Sequence, residues 1–158
     1  MVTGAHAHDR ARLSPETQQV LAFATDEARR LNHDYVGTEH LLLGLIRDEG
    51  SVPARALARA GAGLPKARAA VGRTFGQGTP ADGGPVELSA RAALALDQAM
   101  DEADHLGARA VAPEHLLLAL TDEGEGVAAG VLEGMGVDPA RLRRDVLQAV
   151  GPAQGAPA

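Results

Sequence analysis

The chain has 158 residues, of which 45% are hydrophobic, 2% aromatic and 23% charged, and it carries a net charge of −6. This composition suits one globular domain or two small fused ones, and the acidic balance argues against a nucleic-acid partner gripped by a basic face. With no cysteine, the chain can have no disulfide, thiolate nucleophile or cysteine-held zinc.

Residues 1–12 are polar and lack the apolar core of a signal peptide. No apolar run reaches the length of a membrane span, so a cytoplasmic protein with no membrane partner is expected. His6 and His8 offer two ligands on a tail, too few for a metal site, and neither a metal nor another cofactor is expected. Residues 1–12 read as a disordered tail.

The first helix should start at Ser14 as N-cap with Pro15 at the first helical position. Val20, Leu21, Ala24, Ala28 and Leu31 then form one apolar stripe, and Asn32-His33-Asp34 ends it. A second helix should start at Thr38 as N-cap, with Glu39 in the first turn where the helix dipole favours a carboxylate. Leu41, Leu42, Leu43, Leu45 and Ile46 make it apolar nearly all round, which marks the buried centre of its unit. Helices from Val52 to Ala60 and from Leu64 to Phe75 complete a repeat over 13–75. The stretch 76–87, with four glycines and two prolines, reads as a linker.

The same text then recurs. Val36-Gly37-Thr38-Glu39-His40-Leu41-Leu42-Leu43 returns as Val111-Ala112-Pro113-Glu114-His115-Leu116-Leu117-Leu118, an offset of 75 residues (114 − 39). That offset also maps Leu13-Ser14 onto Leu88-Ser89 and Asp26-Glu27-Ala28 onto Asp101-Glu102-Ala103 without insertion. The second repeat, 88–151, therefore carries matching helices over Ser89 to Leu106, Pro113 to Asp122, Val127 to Met135 and Asp138 to Val150. Residues 152–158 read as a second disordered tail. The expected fold is all-α, with eight helices in two tandem, pseudo-symmetric four-helix repeats that pack together.

The run from Asp26 to Ile46, DEARRLNHDYVGTEHLLLGLI, resembles the N-terminal double repeat of the Clp family of AAA+ unfoldases, most closely in Gram-positive bacteria. Glu123-Gly124-Glu125-Gly126-Val127 and Val131-Leu132 reinforce the resemblance, which covers about residues 13 to 151. No phosphate-binding loop of the G-x-x-x-x-G-K-[ST] pattern is present and no length remains for an ATPase module, so a freestanding N-domain is expected.

The resemblance implies a non-catalytic module that binds substrate proteins, peptides or Clp adaptor proteins. Such a module would act as adaptor to, or decoy for, a Clp ATPase. In the family, glutamates at the positions of Glu39 and Glu114 hold the guanidinium of phosphorylated arginine. The phosphate sits at the helix starts where this chain has Ser14 and Ser89. Arg91 fills the family's basic position in the second repeat, whereas Glu16 occupies it in the first. Grouped within repeats, Ser89, Arg91 and Glu114 are expected to form the better site and Ser14 with Glu39 the poorer one. The family is also the target of cyclic-peptide antibiotics in actinobacteria, so sequestration of such compounds is an alternative. Leu88 and Ala93 replace its usual aromatic and basic residues on that surface.

A small hydrolase using the Glu–His pairs is the remaining alternative, and a purely homo-oligomerising domain a weaker one. Adjacent helical residues point about 100° apart, so Glu39 and His40 do not share a face. No H-E-x-x-H pattern and no glycine-flanked serine is present. The histidines are expected to pack or cap between helices, and no enzyme activity is expected.

Overall fold

Ser14 opens the first helix, its hydroxyl accepting the Thr17 amide at 3.1 Å while Pro15 occupies a position that needs no donor. The computed structural model describes residues 9–76, 78, 86–122 and 127–150. The first repeat contributes α1 (Pro15–Arg30), α2 (Thr38–Arg47), α3 (Val52–Arg59) and α4 (Leu64–Phe75). The second contributes α5 (Ala90–His105), α6 (Pro113–Asp122), α7 (Val127–Gly134) and α8 (Pro139–Val150). The all-α, two-repeat architecture is as the periodicity requires.

α2 and α6 are the buried centres. Leu41, Leu42, Leu43 and Leu45 on one, and Leu116, Leu117 and Leu118 on the other, have no exposed surface. α1 packs along α2, and α5 along α6. One continuous apolar cluster runs through both repeats, with α2 touching α5, α6 and α7. The halves thus bury each other's surface, as units this small must. The helix ends repeat as well. Gly61 and Gly136, both at positive φ, follow α3 and α7, and the amides after them close on Leu57 and Leu132 at 2.8 and 2.9 Å.

Three features depart from the sequence reading. Thr38 is not the N-cap of α2. Gly37 holds that position, accepting the His40 and Leu41 amides, while the His40 ring supplies the side-chain cap and the Thr38 hydroxyl has no partner. Asp9–Arg12, assigned to the disordered tail, form a turn of 3-10 helix. Arg12 anchors that turn, reaching Asp104 at 2.8 Å and the Arg109 carbonyl at 3.1 Å. Finally, two short parallel strands appear, β1 (Tyr35–Val36) and β2 (Glu87–Leu88), so the end of the linker pairs with the first repeat. Residues 1–8, 77, 79–85 and 151–158, where the tails and most of the linker were expected, lie outside the described residues.

Candidate functional site

The two strands decide which helix starts meet. Val36 pairs with Leu88, and the Ser89 amide donates to the Val36 carbonyl at 2.9 Å. The start of α5 therefore lies beside the start of α2, which carries Glu39. Leu13 bridges Val111, and the Ser14 amide donates to the Val111 carbonyl at 3.0 Å. Ser14 thus lies beside the start of α6, which carries Glu114. The 75-residue offset exchanges these contacts (13 to 88, 36 to 111), so they are two versions of one joint. The grouping expected within repeats is replaced by one between them: Ser89 and Arg91 with Glu39, and Ser14 with Glu114.

The two joints differ in detail. Ser89 caps α5, accepting the Ala92 amide at 3.1 Å, and Arg91 stands exposed in that first turn. Ser14 is buried, and its hydroxyl hydrogen is directed at Thr17 Oγ1, whose own hydroxyl donates to Val111 at 2.7 Å. In α1, Pro15 removes one amide donor and Glu16 adds a negative charge, so the start of α5 presents the more favourable surroundings for an anion.

Glu39 is only 2% exposed, folded back over its own helix start, and accepts the Tyr35 hydroxyl at 3.3 Å. A Cβ on Gly37 would overlap its carboxylate, so glycine is what leaves it room. The second repeat has Ala112 at that position, and there Glu114 is half-buried instead. The Tyr35 phenol is pushed above its ordinary 10.0 by burial and then by the Glu39 charge.

His40 and His115 cap α2 and α6 in the same way, each Nδ1 lying 2.9 Å from the amide of Gly37 or Ala112. An amide only donates, so each Nδ1 must accept and each ring carries its proton on Nε2. Only in the first repeat does a chain continue. His40 Nε2–H donates to His33 Nδ1 at 2.9 Å, which leaves His33 Nε2–H to donate to the Gly76 carbonyl at 3.0 Å. The residue matching His33 is Ala108, so the second repeat has no such link. Burial lowers both capping rings, His40 to about 4 with help from His33, and His115 in the same direction.

Donor atoms of His33, Glu39 and His40 fall within 4.8 Å of one another, the spacing of a metal-ligand set. Yet the facing histidine nitrogens already share a proton, which a cation would have to displace. Catalysis gains little here, since His40 has both ring nitrogens engaged.

The sequence reading missed two partly buried ion pairs. Glu27, on α1, holds Arg68 of α4 at two points, and Glu102 of α5 holds Arg143 of α8. Both members of the pair recur at the 75-residue offset, a signal that was available.

A family model for the Clp repeat (R) N-terminal domain matches residues 12–93 and again 87–157. Chaperone protein ClpC1, chloroplastic, of Arabidopsis thaliana is 41% identical over 140 residues, spanning 89% of this chain. A chloroplastic ClpA homolog of Brassica napus is equally 41% identical over 89% of the chain. The chain spans only 15% and 16% of the length of these relatives. Among solved structures, the N-terminal domain of the ClpD chaperone from Arabidopsis thaliana superposes with a TM-score of 0.74 at 24% identity, covering 89% of this chain and 99% of that one. A ClpV N-domain in complex with a VipB peptide superposes at 0.66 with 18% identity, covering 87% and 86%. With its repeat matched twice by the family model and its helices arranged as in the solved N-domains, the chain belongs to the Clp repeat (R) N-terminal domain family.

Proposed function

We propose that the chain is a recognition module that binds peptide segments of substrate or adaptor proteins at its two joints. On this reading the joint of Ser89, Arg91 and Glu39 reads phosphorylated arginine. The observation that carries it is the β1–β2 pairing, which sets an anion-binding helix start beside a buried carboxylate. Phosphate would meet the Ser89 hydroxyl, the first-turn amides of α5 and the Arg91 guanidinium. The guanidinium half would meet Glu39 once Tyr35 swings aside. The Ser14–Glu114 joint offers a carboxylate but a poor phosphate seat, and suits an unmodified cationic side chain. That a ClpV N-domain of the same fold was solved with a peptide supports a peptide ligand. Such a module serves a Clp ATPase by delivering cargo or competes with it for that cargo.

Calorimetric titration with free phosphoarginine tests the reading, using wild type, Glu39→Gln and Glu114→Gln. Loss of binding in Glu39→Gln, with Glu114→Gln little changed, is the expected result. No binding by the wild type would remove phosphoarginine recognition, and loss only in Glu114→Gln would overturn the assignment of the joint.

A further inference from the structure

We infer that the groove between α3 and α8 is a second docking surface, built to take an acidic peptide segment of a partner protein. It lies between the two repeats, apart from the starts of α1, α2, α5 and α6, with a volume of about 900 Å³. Its lining is more polar than apolar, with the buried side chains of Ala56, Val137 and Leu142 at its base. Arg55 and Arg59 stand one turn apart along one wall, and Arg141 stands on the other.

The arginines are the unusual part. Acidic residues outnumber basic ones 21 to 15 in this chain, so carboxylate partners are plentiful. Arg12, Arg47, Arg68 and Arg143 all hold carboxylates at 2.7 to 3.0 Å. Among the described residues Arg55, Arg59 and Arg141 hold none, as do Arg29, Arg73, Arg109 and Arg144, but these three converge on one groove. Two carboxylates also line it. Asp138 is engaged as the cap of α8, accepting the Ala140 amide at 3.0 Å, and Asp145 lies one turn beyond Arg141. The cationic side retains the excess.

Internal duplication supplies a control within the same molecule. Exchange of the repeats turns α3–α8 into the α7–α4 contact. There Arg55 and Arg59 become Gly130 and Gly134, and Arg141 becomes Lys66. An added Cβ at either glycine meets nothing within 4 Å, so space alone does not keep arginine out. The fold therefore does not require the cations of α3, and only one of the two equivalent contacts carries them. Carboxylates one helical turn apart, about 6 Å along the axis, would match Arg55 and Arg59.

A short labelled Glu/Asp-rich peptide, titrated at low salt into the 158-residue protein, tests this by anisotropy and by amide chemical-shift mapping. The amides of Ala56, Val137 and Leu142 should move. Affinity should fall about tenfold in Arg55→Glu/Arg59→Glu, and by a smaller factor in Arg55→Gln/Arg59→Gln. Asp145→Asn should tighten binding. Arg144→Glu, exposed on α8 outside the groove, should leave it unchanged. Absence of binding, shifts confined to the starts of α1, α2, α5 and α6, or equal weakening in Arg144→Glu would overturn the proposal. None of these changes touches Ser89, Arg91 or Glu39, so phosphoarginine binding stands or falls separately.

Discussion

Arg68 meets the carboxylate of Glu27 at two points, Nε to Oε1 at 3.0 Å and Nη2 to Oε2 at 2.7 Å, and Glu27 is 1% exposed. Arg47 adds a third contact to the same carboxylate at 3.0 Å while lying 4.4 Å over the Phe23 ring. A buried charge with three charge-assisted bonds is costly to disturb, because each partner left behind is partly desolvated. Glu27→Ala should lower unfolding free energy by about 2–3 kcal/mol, allowing for solvent on the arginines. Its counterpart Glu102 is more exposed and has Arg143 as its ion-pair partner, so Glu102→Ala should cost about 1 kcal/mol. Urea unfolding of the two variants checks the order.

Acid should weaken the fold in a definite window. His40 is held neutral down to about 4 against an ordinary 6.5, chiefly by burial. Between those values the unfolded chain binds the proton and the folded chain does not, so stability falls as pH drops from about 6.5 to 4. The full effect is about 3 kcal/mol, and His115 adds to it in the same direction. Asp26, whose carboxyl is lowered by Arg47 and then Arg30, contributes only as pH falls below its ordinary 3.8. Glutamine can keep the cap on Gly37 without titrating. His40→Gln should therefore flatten the profile above pH 4, measured by melting temperature against pH.

Tyr35 is the only tyrosine and there is no tryptophan, so its ultraviolet titration is free of overlap. It should ionise above 10.0 in wild type and move back toward that value in Glu39→Gln, which removes the adjacent charge. Gly37→Ala should do the same by evicting the Glu39 carboxylate, reproducing the half-buried state of Glu114. An unchanged phenol in both variants would contradict the contact.

At Gly44, α2 lies close against the backbone of α1. A Cβ there would lie 2.5 Å from the Val20 carbonyl oxygen and 3.1 Å from the Ala24 amide nitrogen, both backbone atoms that cannot swing away. Gly44→Ala should destabilise by about 1–3 kcal/mol through overpacking. Its counterpart Ala119 already carries the methyl, so Ala119→Gly should leave a void rather than relieve a clash. Thermal unfolding distinguishes the two.

What the sequence disclosed, and what it concealed, follows from the range of each interaction. Ser14-Pro15 and Ser89 mark helix starts because capping acts over three residues, and the leucines of α2 show burial because its stripe wraps the whole helix. Thr38 misled because its type fits an N-cap, while the histidine that caps from the third helical position is not the usual Glu or Gln. The Val36–Leu88 pairing was hidden. It is a two-residue bridge across 52 positions (88 − 36), and nothing local in Glu87-Leu88 announces a strand. Ser14, Glu39, Ser89, Arg91 and Glu114 all stand at helix starts, as the sequence indicates, but the strand pairing sets them beside each other across the repeats rather than within them.

Those crossed bridges mean that neither repeat owns a site. Each joint takes its capped helix from one repeat and its glutamate from the other, so a single unit on its own would hold two incompatible halves. Two such units could complete each other only as a symmetric pair, with identical joints on both sides. Fusing them into one chain removes that obligation. Substitutions such as Gly37 against Ala112, or Glu16 against Arg91, can then alter one joint while leaving the other unchanged. The covalent link between the copies is what allows a symmetric dimer's geometry to hold two unequal joints.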